Sequence, residues 1–316
     1  MAGDDIDPDR SPELSYATPA AFRRALTDRL RAATSPWPLA DLQRQFAYDR
    51  LLVRLYLTDD AWVLKGATAL LARGVAVRHT IDVDIYRAVS KESAERDLRA
   101  ALERDAGDWF TFEAAPSTPI AEGTIGVRVP VDAKIGTATW ASFHVDVIAE
   151  GVRMTGAPDR VPPLTPVEMP GLVRTTYRAY PLVDHIADKT CAILERLGPA
   201  RHPSSRFKDL VDLVVLVAHA TPTAEAQRTA LRSEAARRGL ALPDHFEVPD
   251  VPLWTTGYAA EARRLPTFGV GTLDEALSLV RPYLDPILDG TATGRWDTDR
   301  ARWETGGGSA DGGGAG

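Results

Sequence analysis

Two carboxylates, a glycine turn and a third carboxylate give this chain the means to do chemistry at phosphorus. In His79-Thr80-Ile81-Asp82-Val83-Asp84-Ile85-Tyr86, β-strand alternation puts Thr80, Asp82 and Asp84 on one face and Ile81, Val83 and Ile85 on the other, which can pack into a sheet core. Two carboxylates projecting from one side of a strand repel each other unless a cation lies between them. Hard oxygen donors in this arrangement suit Mg²⁺ or Mn²⁺. A second run, Ser142-Phe143-His144-Val145-Asp146-Val147-Ile148, sets Asp146 between apolar neighbours with His144 on the same face, and could supply a third carboxylate. Carboxylates on adjacent strands can hold metal ions that clamp the attacking and leaving oxygens of an in-line displacement at phosphorus. Upstream, Gly66 lies between a predicted strand and a predicted helix start, where an unencumbered backbone can approach a phosphate and Lys65 adds positive charge. Taken singly, a D-x-D also suits a solvated strand end, and Lys65-Gly66-Ala67-Thr68 also suits an ordinary strand-to-helix turn in which Thr68 helps cap the helix. The glycine turn upstream of the carboxylates is what shifts the balance toward chemistry.

Those residues need elements to hold them. Apolar spacing predicts helices over 19–33 and 39–57, a short strand at 62–64, and an Ala/Leu-rich helix that ends near Arg73-Gly74, glycine being usual beyond a helix C-terminus. Strands are predicted at 79–86, 109–114, 123–131 and 142–149, with a helix over 91–105. After Pro162-Pro163 the pattern changes to helices over 184–197, 207–220, 224–238 and 273–288, with no convincing strand among them. This predicts an α+β fold: an α/β domain over 19–160 built on a mixed sheet flanked by helices, then a mainly helical domain over 161–305. Residues 1–18, rich in Asp, Pro and Ser, and 306–316, nearly all Gly, Ala and Ser, are expected to be flexible tails.

Two of the later helices carry charge where it must be satisfied. Lys189 lies one turn from both Ile186 and Ile193 and so borders the apolar stripe. It needs an anionic partner, and without further context that partner is a structural carboxylate. The 207–220 helix is apolar on nearly every side, so Asp209 and Asp212 near its start should each face a cation, a helix N-terminus or a hydroxyl. For Asp212 the expected partner is an arginine.

Composition limits the setting. The 316 residues are 44% apolar, enough for one large domain or two smaller ones, and the single cysteine, Cys191, excludes an internal disulfide or a Cys-rich zinc site. The N-terminal residues carry no apolar secretion signal and no apolar run is long enough to span a bilayer, so the expected location is the cytoplasm, away from the membrane. A net charge of −7 argues against coating nucleic acid by bulk electrostatics. Local basic clusters remain: Arg73 and Arg78; Arg201, Arg206 and Lys208; Arg228, Arg232, Arg237 and Arg238; Arg263 and Arg264. Most of these read as solvated helix faces.

The run Val63-Leu64-Lys65-Gly66-Ala67-Thr68-Ala69-Leu70, followed by Arg78-His79-Thr80-Ile81-Asp82-Val83-Asp84, resembles the signature of the AbiEii/AbiGii-type nucleotidyltransferase toxins. That group includes the MenT-type toxins and belongs to the polymerase-β-like nucleotidyltransferase superfamily. Asp188-Lys189-Thr190-Cys191-Ala192-Ile193-Leu194-Glu195-Arg196 and Arg206-Phe207-Lys208-Asp209-Leu210-Val211-Asp212-Leu213 resemble the same family's later Lys-bearing and Asp-bearing helices, so the resemblance covers about 51–218. It implies a nucleotidyltransferase-type sheet domain and the toxin of a toxin–antitoxin system, with a cognate antitoxin as partner. The implied reaction is metal-dependent transfer of nucleotides from NTP to RNA, the tRNA 3′ end first among acceptors, which blocks translation. The implied catalytic residues are Asp82, Asp84, Lys189 and Asp209. Lys65, Gly66, Ala67, Thr68 and Lys189 would receive the nucleotide, and Asp82, Asp84 and Asp146 the Mg²⁺ or Mn²⁺. Some family members carry, at a position resembling Thr80, a hydroxyl that the antitoxin phosphorylates. Two other readings stay open: a transferase acting on a small molecule or protein hydroxyl, and an inactive nucleotidyltransferase-like binding module.

Overall fold

The computed structural model describes residues 16–76, 78–120, 125–265 and 267–304. The expected tails at 1–15 and 306–316, and positions 123 and 124 of one expected strand, lie outside the described residues. Tyr16 to Thr18, expected in the first tail, are built into the fold. Tyr16 packs edge-on against Phe22 and accepts a hydrogen bond from the Trp109 indole, while the Thr18 side chain caps the first helix.

The described chain forms two compact units. The first comprises the chain up to Gly74, His79–Val152 and Pro158–Ala179; the second comprises residues 75–78, Arg153–Ala157 and the chain from Tyr180 onward. In the first unit, helices α1 (Pro19–Ala32) and α2 (Leu39–Tyr56) lead to strand β1 (Val63–Leu64), helix α3 (Gly66–Ala72), strand β2 (Asp82–Arg87) and helix α4 (Lys91–Glu103). Strands β3 (Phe110–Ala114), β4 (Thr118–Pro119), β5 (Gly126–Ile135), β6 (Ala138–Ala149), β7 (Asp159–Val161) and β8 (Tyr177–Ala179) follow. They make a mixed eight-stranded sheet in the order β3-β5-β6-β2-β1-β8-β7, with β4 on β5. Strands β2 and β6 run parallel, as do β1 and β8; the other pairs are antiparallel. The β2–β6 pair lies inside the sheet, so Val83, Ile85, Val145 and Val147 are buried and the two strands have little freedom to slip.

Helix α2 also anchors the sheet through charge. Arg50 and Arg54, one turn apart, both reach Asp108, and all three side chains are almost wholly buried. Burial opposes the Asp108 charge, but the two guanidiniums outweigh it and hold the carboxyl below its usual range.

In the second unit, α5 (Leu182–Leu194) is followed by the hairpin β9 (Arg196–Leu197) and β10 (His202–Pro203), then α6 (Phe207–His219), α7 (Ala224–Arg238), α8 (Val251–Ala262), α9 (Leu273–Leu288) and the hairpin β11 (Trp296–Asp297) and β12 (Arg302–Trp303). Helix α6 is buried from Asp209 to Val217, and α8 approaches it at Gly257, where a Cβ would lie 2.2 Å from the Phe207 ring.

The chain beyond Pro163 is thus not strand-free: β8 joins the main sheet beside β1, and two hairpins punctuate the helices. Strands of two or three residues are too short to display an alternation. Helix α8 was not predicted because its buried residues, Trp254, Tyr258 and Ala262, form only a narrow stripe among apolar and polar neighbours scattered around it. The strand expected at 79–86 begins only at Asp82, and Ile81, expected in the core, is 54% exposed.

Candidate active site

Asp82 and Asp84 stand two residues apart on β2, so they share a face while Val83 and Ile85 are buried on the other. The glycine turn is fastened to this strand. Lys65 N–H donates to the Asp84 carbonyl at 2.8 Å, and the wholly buried Thr68 hydroxyl accepts from Asp84 N–H and donates to the Asp82 carbonyl, each at 3.2 Å. Thr68 therefore holds the turn against the carboxylate strand rather than capping α3, whose preceding residue is Lys65.

Gly66 explains why the turn needs glycine. Its φ is +53°, and a Cβ there would lie 2.0 Å from Asp84 Oδ2 and 2.6 Å from Asp84 Cγ. No side chain fits between this backbone and the carboxylate. Lys65 and Ala67 are both nearly buried beside it, at 8% and 5% exposure, so the backbone at Gly66 is the accessible part of the turn.

The neighbouring strands set what faces the two carboxylates. Register places His144 opposite Asp82 and Asp146 opposite Asp84, with Arg128 of β5 opposite Asp146. Arg128 grips Asp146 through both oxygens, Nε to Oδ1 and Nη2 to Oδ2, each at 2.7 Å, and its Nη2 lies 3.7 Å from Asp82 Oδ1. The fork on Asp146 raises the Arg128 pKa further, so the guanidinium is a permanent charge. His144 Nδ1 lies 3.2 Å from Asp82 Oδ1. Strand alternation had put His144 and Asp146 on one face, but Arg128 escaped the sequence reading because only the register brings β5 into line with β6.

This arrangement suits a single hard cation. Mg²⁺ is usually held by one or two carboxylates, with water and substrate phosphates completing its shell. Asp82 and Asp84 meet that requirement, whereas Asp146 has both oxygens on Arg128. Among the described residues no group of three or more His, Cys, Asp or Glu side chains is disposed to hold a metal.

Thr80 sits just before β2. Its hydroxyl accepts from Asp82 N–H and donates to the Asp82 carbonyl, each at 3.2 Å, its own carbonyl accepts from Tyr48 OH at 3.0 Å, and the residue is 8% exposed. This local turn is what delays the start of the strand.

In the helical unit, Lys189 of α5 meets both acids of α6: its Nζ lies 2.8 Å from Asp209 Oδ1 and 2.7 Å from Asp212 Oδ2. Arg206 adds a bond to Asp209 at 2.6 Å, and Arg78 grips Asp212 through two bonds at 2.9 and 2.7 Å. Burial works against the Lys189 ammonium, but the two carboxylates reverse this and raise its pKa. Burial likewise disfavours the Asp212 charge, and Lys189 and Arg78 together drive that carboxyl well below its usual range. Asp212 thus has the arginine partner expected of it.

A stability prediction follows from that depression. Asp212→Asn leaves the buried Lys189 and the half-buried Arg78 short of charge and should cost about 3–5 kcal/mol at neutral pH. Because the folded carboxyl titrates below the unfolded one, its contribution is complete above the unfolded value and declines as pH falls. The gap between the thermal melts of the two proteins should therefore narrow progressively as pH falls below about 4; a constant gap down to pH 3 would refute the linkage.

Compared with known sequences, residues 50–290 match the family described as "Nucleotidyl transferase AbiEii toxin, Type IV TA system". The chain belongs to this family. The AbiEii match spans the glycine turn, the β2 carboxylates and both motif helices, and makes the protein an enzyme of the nucleotidyltransferase class. No curated protein matches the sequence significantly. Among solved structures, the AbiEii chain is similar to MenT4, a nucleotidyltransferase toxin from Mycobacterium tuberculosis H37Rv, at 16% identity and a TM-score of 0.48, over 82% of this chain and 99% of that one. It is also similar to JHP933 from Helicobacter pylori, at 15% identity and a TM-score of 0.45, over 78% of this chain and 92% of that one.

Other groups in this AbiEii-family chain have different work. Burial pushes the Cys191 thiol up to about 12, which removes it as a nucleophile. Many of the basic residues pair within their own unit: Arg73 with Asp159, Arg237 and Arg238 with Glu234, and Arg264 with Glu261. Arg201, Lys208, Arg232 and Arg263 are exposed. No described helix is long and apolar enough to cross a membrane.

Proposed function

We propose that this protein is a cytoplasmic toxin that transfers nucleotides from NTP to RNA, at the 3′ end of tRNA, and so halts translation. The observation that carries the reading is Gly66: a side-chain-free turn pressed against the Asp84 carboxylate lets a triphosphate approach beside the metal-binding pair. Asp82 and Asp84 would hold Mg²⁺ or Mn²⁺, which when bound neutralises triphosphate charge and favours attack at the α-phosphorus. The backbone at Lys65, Gly66 and Ala67 borders the phosphates, with Thr68 keeping the turn in register.

Lys189 and Asp209 carry the family's later motifs. In this reading Asp209 accepts the proton of the acceptor hydroxyl, and Lys189 supplies positive charge to the phosphates, its ion pairs exchanging as substrate binds. Arg201, Lys208, Arg232 and Arg263 are exposed cations suited to sequence-independent phosphate contacts with the acceptor RNA.

The test is incubation with Mg²⁺, total tRNA and each α-phosphate-labelled NTP in turn, beside Asp82→Ala. Label should reach tRNA with the wild type and not with the variant. NTP consumption without labelled tRNA would redirect the proposal to a small-molecule or protein hydroxyl, and untouched NTP would leave a binding module.

We also assign Thr80 as the point where an antitoxin-directed phosphate would act, since it would add about two negative charges beside Asp82. The hydroxyl is bonded to the Asp82 backbone and nearly buried, so modification requires this turn to open. Intact-mass analysis after co-expression with the antitoxin should show an added phosphate that Thr80→Val lacks; neutralised toxin of unchanged mass would remove the assignment.

A further inference from the structure

The sheet face that bears Asp82 and Asp84 already contains a fixed cation. Arg128 stands on β5 opposite Asp146, which stands on β6 opposite Asp84, so three adjacent strands align a guanidinium and three carboxylates. Both Asp146 oxygens bond the guanidinium at 2.7 Å, and the same Nη2 lies 3.7 Å from Asp82 Oδ1. Asp146 has only 10% of its side chain exposed, while Arg128 keeps 41% in contact with solvent. The pairing thus fixes Asp146 from the exposed side and leaves the guanidinium edge toward Asp82. A bidentate fork of this kind is geometrically specific, and a lysine cannot reproduce it.

From this geometry we infer that Arg128 takes the place of a second metal ion: it neutralises Asp146 and part of the charge on Asp82, so the site binds one divalent cation through Asp82 and Asp84. Asp146 is then the anchor of Arg128 rather than a ligand of the ion. Two consequences distinguish this from a three-carboxylate site. The guanidinium repels a cation entering beside Asp146, so the protein without nucleotide should bind divalent ions weakly. Removing the guanidinium frees Asp146 to join Asp84, its neighbour in the sheet register, and creates the second position that the native side chain fills.

The inference rests on the proposed role of Asp82 and Asp84, and Mn²⁺ titration of the full chain, followed by loss of the free-ion electron paramagnetic resonance signal, separates the two. Wild-type protein should bind at most one Mn²⁺ per chain. Arg128→Met should bind one more, or bind on the order of tenfold tighter, and adding Asp146→Asn to it should abolish the gain. Asp146→Asn alone, which leaves the guanidinium in place beside Asp82, should add no second Mn²⁺. Arg128→Lys, which keeps charge but loses the fork, should fall between wild type and Arg128→Met.

Thermal melts keep the reading of these variants clear, since the Arg128 side chain is partly exposed and its loss should not unfold the sheet. Two ions in the wild type, a second ion in Asp146→Asn, or no gain in a folded Arg128→Met would each overturn the inference. Failure of the Asp82–Asp84 reading looks different: Mn²⁺ binding by the wild type would survive Asp84→Ala.

Discussion

Asp84→Ala should lower Mg²⁺-dependent nucleotide transfer by about 10³-fold, because the proposed metal site loses a carboxylate and with it several kcal/mol of transition-state charge stabilisation. The protein should remain folded. Asp84 projects from the same face of β2 as Asp82, and removing one of two neighbouring like charges relieves repulsion in the metal-free state. Asp82→Ala should act similarly on turnover, and it takes a partner from His144 at 3.2 Å and from Arg128 at 3.7 Å. A cooperative melt, together with lost transfer, is the expected pair of results for Asp84→Ala. Transfer that persists within tenfold would place the reaction elsewhere.

The second large effect is expected at Gly66. Gly66→Ala requires a residue with a Cβ to adopt φ +53° and brings that Cβ to 2.0 Å from Asp84 Oδ2. The backbone term is roughly 1–2 kcal/mol. The clash must be relieved by moving the turn or the carboxylate, and an ångström of misplacement at a reacting centre costs about 10²-fold in rate. Gly74 supplies the control, since it lies just beyond the other end of α3 with φ +70° and nothing within 4 Å of an added Cβ. Gly74→Ala should therefore lose comparable stability and keep its transfer rate. Kinetics and melts of both variants test the argument; equal activity losses would show that turn strain, not the approach to Asp84, is what matters at Gly66.

The same comparison shows how far the chain could be read without its structure. The D-x-D pair was legible because strand alternation is strictly two-fold, so spacing alone puts Asp82 and Asp84 on one face. The turn at Gly66 was legible as a break between strand and helix, but its reason was not: the approach to Asp84 depends on β1 pairing with β2. Asp212 was expected to pair with an arginine because a charge in an apolar helix must be answered. That Arg78 answers it, and that Lys189 bridges Asp209 and Asp212, depends on contacts across 20 to 134 positions of chain.

What the amino-acid sequence determined by itself was therefore everything that repeats over short spans: the alternation of β2 and β6, the apolar stripe of α5, the largely apolar α6, and the order of motifs that marks the AbiEii family. Only the tertiary structure decided which strands are neighbours and in what register. That choice placed Arg128 on Asp146, gave Thr68 the Asp82 and Asp84 backbone, and drew β8 into the sheet from a stretch too short to show a period. The physical reason is the range of the interactions. Side-chain periodicity follows from local backbone geometry, whereas strand pairing and buried charge pairs are settled by which distant surfaces bury together with all their polar groups satisfied.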